Sequence, residues 1–307
     1  MTTTKSKRTQ KSAVAKAIVF DHARTDPSHC LADGLFRPIL HGKREESPLD
    51  VSYKFKNVLF RWQNPTTALC IKDQGVFLAI HRIAADKSRV TKVGISHSDA
   101  DQLAARNALD LELEANNLEC LVITTTAREI AHILGLMISG PAISRVQASL
   151  ERLAGVSFAI SYPEQEKTFW KAKLISIVPL DGPNRLIAFN PILSKALAGT
   201  PTAYIDMKEQ LCLPSDASKR LHVWLSAWLR PTEGKRIGRD LLVKHVWGST
   251  GIGDTLYSRR NAIKVALEAM NQNTAWRCEY DEASESYFIQ RKKLGDYEEG
   301  SPGVQQL

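Results

Sequence analysis

The stretch GRDLLVKHVWGSTGIGDTLYSRRNAIKVALEAM, residues 238–270, decides how the rest of the chain is read. Gly238 to Trp247 spaces its apolar residues for a helix, the glycines of Gly248 to Gly253 make a turn, and Asp254 to Met270 resumes the helical period with Asp254 as its N-cap. On the later helix Leu256, Ile263, Leu267 and Met270 form one apolar stripe. Tyr257, Ser258, Asn261 and Lys264 therefore project the other way, with Arg259 and Arg260 at the flanks. Upstream, Ala217 to Leu229 carries its own stripe of Leu221, Trp224, Leu225 and Trp228. Downstream, Thr274 to Tyr280 and Ser286 to Arg291 flank the polar loop Asp281 to Glu285 and read as a β-hairpin. Helix, short strand, helix, turn, helix and hairpin is the order of a winged helix, in which the hairpin is the wing of a helix-turn-helix.

The same order occurs earlier, as a repeat of pattern rather than of identity. Gln74 to Ala84 reads as a helix and Leu121 to Thr125 as a short strand. Ala127 to Leu136 is a second helix, Ser139-Gly140-Pro141 a turn, and Ala142 to Leu153 a third helix. Val156 to Tyr162 and Thr168 to Val178 then flank a polar turn as a hairpin. Ser98 to Asn117 and Asn190-Pro191 to Leu197 are read as added helices. The expected fold is α+β, two tandem winged helices. The expected boundaries are a basic arm without structure at 1–20, a first winged-helix domain with insertions at 21–199, a second at 200–293, and an acidic tail without structure at 294–307.

Composition fits a folded chain of about this complexity. Its 307 residues, 43% hydrophobic and 24% charged, with 13 Pro and 17 Gly, exclude collagen-like and wholly disordered classes. Lys and Arg number 41 against 33 Asp and Glu, a net charge of +8 that favours a polyanionic partner. The five cysteines are scattered and form no CxxC pair, which suits a reducing cytoplasm, and no stretch is long and apolar enough to span a bilayer.

The charge is concentrated where the second helix-turn-helix lies. Between Arg230 and Lys264 stand eight basic side chains, including Arg239, Lys244, Arg259, Arg260 and Lys264, against the acids Glu233, Asp240 and Asp254. Asn and Arg early in a helix suit bidentate contacts to adenine and guanine, and the flanking bases suit phosphates. In the first copy, Ile143, Val146, Leu150 and Leu153 form the buried stripe, leaving Ser144, Arg145 and Arg152 opposite and Gln147 at the edge. A solvated polar face gives the same wheel, so this helix is the weaker candidate. No enzyme signature competes. His22, His29, Cys30 and His41 lack zinc spacing, and Gly248 to Gly253 has neither the preceding strand nor the Lys-Ser/Thr of a phosphate loop, so no metal or nucleotide cofactor is expected.

Particular residues also resemble a known family. His22, Arg24, Asp26-Pro27, His29-Cys30-Leu31, Gly34-Leu35-Phe36-Arg37, Gly42, Leu49-Asp50-Val51 and Tyr53 are similar to the N-terminal block of replication protein C (RepC), the initiator of IncQ-type broad-host-range plasmids. Phe189-Asn190-Pro191, Val246-Trp247, Arg259-Arg260, Ile263-Lys264 and Ala266-Leu267 extend the resemblance over about 22–291. It departs at Ala262 and Val265, where the family has a basic and an acidic residue. The resemblance implies a non-enzymatic protein with two winged helices. It would bind iterons, the direct repeats of the vegetative origin, in double-stranded DNA, open adjacent AT-rich DNA, and recruit the plasmid's helicase and primase. A homodimer is left open and no membrane is involved. The competing readings are a winged-helix transcriptional repressor and, in a third class, a primase or nicking enzyme.

Overall fold

The structure, a computed structural model, describes residues 21–39, 48–162, 164, 167–199 and 201–291. The basic arm, the acidic tail, His41 and Gly42 lie outside the described residues. The described chain begins with β1 (His22–Thr25), α1 (Pro27–Leu31) and β2 (Phe36–Arg37), then a hairpin of β3 (Leu49–Phe55) and β4 (Val58–Asn64). β5 (Leu69–Cys70) leads into α2 (Ile71–Ala84). That helix starts earlier than the expected Gln74, because Asp73 accepts the backbone N–H of Cys70 at 2.8 Å and so closes its first turn.

β6 (Val90–Val93), α3 (Ala100–Asn107) and β7 (Glu112–Leu113) follow. The helix expected over Ser98 to Asn117 ends at Asn107, and the chain reverses through Asp110 and Leu113 at φ 49° and 58°. Next come β8 (Cys120–Thr126), α4 (Ala127–Ile133) and α5 (Gly140–Ala154), the two helices capped by the hydroxyls of Thr126 and Ser139. β9 (Ser157–Tyr162) and β10 (Lys167–Lys173) form the expected hairpin. The strand expected over Thr168 to Val178 divides after Lys173, because β11 (Ile175–Pro179) pairs with β12 (Asn184–Phe189) in another sheet.

α6 (Pro191–Ala198) is capped by Asn190, whose Oδ1 accepts from the N–H groups of Ile192 and Leu193 at 3.0 Å each. β13 (Ala203–Asp206), α7 (Met207–Cys212), α8 (Asp216–Trp228), β14 (Gly234–Gly238), α9 (Arg239–Trp247), α10 (Gly253–Asn273), β15 (Trp276–Asp281) and β16 (Ser286–Arg291) complete the described residues. Asp254 is not the N-cap of α10: the helix starts at Gly253, Ile252 holds the cap position, and Asp254 lies in the first turn, where its charge complements the helix dipole.

The architecture is mixed α+β, with helices around several small sheets. The larger sheets run β3-β4-β9-β10-β7 and β11-β12-β8-β6, and β14-β16-β15 forms a third. One core gathers α2, α5 and the five-stranded sheet around Trp62 and Phe158, whose rings stack with centroids 5.0 Å apart. A second gathers α8, α9, α10 and the three-stranded sheet around Leu221, Trp224, Leu225, Ile263, Leu267, Met270 and Ile289. The stripes that alternate along α8 and α10 are thus the faces that meet.

The N-terminal segment joins these two bodies. β1 pairs antiparallel with β13, α1 packs on α8, and the fully buried Arg220 of α8 donates to the carbonyl oxygens of Cys30 and Ala32 at 2.7 and 2.9 Å. Nearby His245 of α9 bonds Asp33 at 2.6 Å and stacks on Trp224. Among the described residues no helix is long and apolar enough to cross a membrane.

Candidate nucleic-acid interface

α10 places its side chains as the wheel requires. Ile263, Ala266, Leu267 and Met270 are buried, whereas Tyr257, Ser258, Asn261 and Lys264 are exposed, Tyr257 by 78%. Between this outer face and the hairpin β15–β16 runs a groove of about 520 Å³. Arg239, Tyr257, Arg260, Asn261, Lys264 and Tyr280 line it, so residues from two helices and the hairpin converge on one surface. The buried stripe of α10 fixes the rotation of the helix, and that rotation aims Asn261 and Lys264 outward.

The arginines are held more firmly than a helical wheel suggests. Arg260 makes a bidentate pair with Asp240 of α9, Nε and Nη2 donating at 2.6 and 2.5 Å, and holds that carboxyl below the usual carboxylate range. Arg259 donates to the Ser249 carbonyl at 2.9 Å and lies over the Trp247 ring. Burial, then the nearby charge of Arg37, draws its guanidinium below the ordinary arginine value. Arg239 pairs with Glu285 at 3.0 Å and lies over Tyr280. Lys244 and Lys264 are exposed and, among the described residues, carry no ion pair.

The first copy presents a thinner polar face. Ser144, Arg145 and Gln147 are exposed on α5, and the Arg145 Nε donates back to the Pro141 carbonyl of its own helix at 3.2 Å. Arg145 also borders a cleft between α2, α5, α7 and the start of α8 with Lys72, Leu136, Leu211 and Lys219, which Ser144 does not line. Arg152, expected to face outward, turns to α2 instead. Its guanidinium bonds the fully buried Asp73 at 2.7 and 3.1 Å and the Ser149 hydroxyl at 3.0 Å. A buried carboxylate draws the nearest long cation toward it.

The histidines and cysteine near the N-terminus are structural neighbours. His29 packs edge-on against Trp62 and Phe158, with Asp26 and Ser28 beside its Nδ1, and burial pushes the Cys30 thiol up to about 12. Among the described residues no three of His, Cys, Asp and Glu are grouped to hold a metal ion. Tyr280 escaped the sequence reading because a tyrosine late in a strand gives no sign of the groove it will border.

A protein-family model described as Replication protein C (RepC) matches residues 17–293. In structure, the chain is similar to the crystal structure of domains 2 and 3 of RctB as its selenomethionine derivative. The TM-score is 0.51 at 9% identity, covering 88% of this chain and 99% of that one. A second crystal structure of RctB domains 2 and 3 gives a TM-score of 0.47 at 9% identity over 87% of this chain and 97% of the other. No curated protein matches the sequence.

Proposed function

The chain belongs to the replication protein C family, and from that premise we propose that it is a plasmid replication initiator that binds iteron repeats at the vegetative origin. In this reading each body is a winged helix. α2, α4 and α5 take the β9–β10 hairpin as wing, and α8, α9 and α10 take β15–β16. The observation that carries the reading is the groove between α10 and its hairpin, where the exposed Asn261 and Lys264 stand over a floor of Arg239 and Arg260.

The chemistry suits duplex DNA. α10 enters the major groove, Asn261 pairs with an adenine edge, and Lys244 and Lys264 neutralise phosphates on either side. α5 adds Ser144, Arg145 and Gln147 as a second, weaker reader. Two unlike readers tied together through Arg220 fit an asymmetric direct repeat better than the palindrome that a symmetric repressor dimer reads. Binding free energy and DNA deformation then open the adjacent AT-rich DNA without ATP hydrolysis, nicking or primer synthesis, and the plasmid's helicase and primase are loaded there.

Footprinting of the purified chain on plasmid origin fragments tests this. Protection repeating at the iteron period, with affinity falling steeply as salt rises, is the expected result. Equal affinity for origin and random duplex, a single palindromic footprint, or metal-dependent cutting of origin DNA would overturn it.

A further inference from the structure

The turn of the second hairpin is acidic where a DNA-binding wing would meet phosphates. Asp281, Glu282 and Glu285 all stand in or beside it, and Glu282 lines the groove with Lys264. Two of these carboxylates are engaged with the arginines of the same surface: Arg236 bonds Asp281 at 2.9 Å and Arg239 bonds Glu285 at 3.0 Å. The second pair is built in two ways. The Arg239 backbone N–H donates to the Glu285 carbonyl at 3.1 Å, and its guanidinium donates to Glu285 Oε1, so the turn is pinned to the start of α9. Glu285 holds a left-handed backbone at φ 46°, a conformation a glycine would adopt more easily.

Exposure within the pair is uneven. The Glu285 side chain is 65% exposed and that of Arg239 only 21%, so a phosphate approaching Arg239 meets the carboxylate first. Random duplex is held almost entirely by phosphate contacts, whereas a specific site is also held by base edges. We propose that Glu285 is a specificity-determining residue. It withholds Arg239 from random duplex and releases it when base contacts from α10 hold the backbone against the start of α9. The proposal rests on the DNA-binding reading above.

The test uses the full chain, a duplex site selected by the wild-type protein from a random library, and a scrambled duplex of equal length. Glu285→Gln should tighten the scrambled duplex about fivefold and steepen its log–log salt slope by roughly 0.9, the share of one phosphate contact. The selected site should change less, so discrimination falls. In an Arg239→Gln background the same substitution should do nothing. Unchanged or weaker binding of Glu285→Gln to scrambled duplex, with wild-type selection intact, overturns this proposal alone. So does a gain that persists without Arg239, because the carboxylate would then act by general repulsion. A wild-type chain that selects no duplex overturns the DNA-binding reading together with it.

Discussion

Arg220 of α8 donates to the carbonyl oxygen of Cys30, at the far end of the N-terminal helix, across 2.7 Å of fully buried interface. Its second bond goes to Ala32, no carboxylate pairs with it among the described residues, and burial pulls its guanidinium down to about 10. Two carbonyls at the end of α1 thus accept from one cation supplied by the other body, the Ala32 carbonyl also accepting the Leu35 N–H at 3.4 Å. Arg220→Met should lower the unfolding free energy by about 3 kcal/mol. It should also split a single calorimetric transition into two. A variant that still melts in one transition near the wild-type temperature would show that the bodies are coupled elsewhere.

The same junction brings Gly34 and Gly248 together backbone to backbone. Both have φ near +80°, and a Cβ built on either would stand 3.2 or 3.1 Å from the other's Cα. Alanine at either position strains the left-handed backbone and pushes the bodies apart, so Gly34→Ala and Gly248→Ala should each cost roughly 1–3 kcal/mol in urea denaturation. Because both substitutions press on one contact, the double variant should lose less than the sum. Full additivity would argue against a shared contact.

Legibility followed the range of the interactions. The apolar stripes of α8 and α10 are local, and each was readable from neighbours within a few residues, whereas the cap expected at Asp254 falls on Ile252. The pairing of β1 with β13 joins residues far apart in the chain, and the β3–β4 hairpin turns at Lys56, φ 53°, without the glycine that announces such a turn. Arg220 stands next to Leu221 of the α8 stripe with nothing in its neighbours to mark it as buried, yet it is fully buried. On the site, the outward faces of Asn261 and Lys264 were visible in the wheel. The carboxylate partners of Arg239, Arg260 and Arg152 were not, because Glu285, Asp240 and Asp73 are brought to them by the fold.

His81 gives the stability a pH dependence of definite sign. It is fully buried in α2, its Nδ1 donates to the Phe77 carbonyl at 2.7 Å, and burial lowers it from 6.5 to about 3. The unfolded chain therefore takes up a proton that the folded chain refuses. The stabilisation is complete above pH 6.5 and is lost progressively as pH falls toward 3. Its share of the slope is about 1.4 kcal/mol per pH unit. His81→Leu should flatten urea-derived stability between about pH 6 and pH 4 by that order. An unaltered slope would mean that other groups carry the acid sensitivity.

Arg152 should matter to stability and not to recognition. Its removal leaves the buried Asp73 without the guanidinium that bonds it at 2.7 Å. Arg152→Gln should therefore lower the unfolding free energy by about 3–5 kcal/mol. Measured well below its melting temperature, its preference for the selected duplex over a scrambled one should match that of wild type. A loss of preference without a loss of stability would return Arg152 to the DNA-facing set.

The two reading helices should be unequal, α10 supplying more of the discrimination than α5. α10 exposes Asn261 on the groove with Ser258 and Lys264 beside it, whereas on α5 Arg145 bends back to Pro141 and Arg152 is taken by Asp73. Asn261→Ala should relax preference at one or two base pairs at a cost of about 1–3 kcal/mol. Lys264→Ala should weaken selected and scrambled duplex about equally and reduce the salt slope by about one. Arg145→Ala should be milder than Asn261→Ala on the selected site. Titrating the three variants against both duplexes at one salt concentration, with the slope taken from a second series, separates these outcomes. If Arg145→Ala abolishes discrimination while Asn261→Ala retains it, α5 is the principal reader and the order of the two helices is reversed.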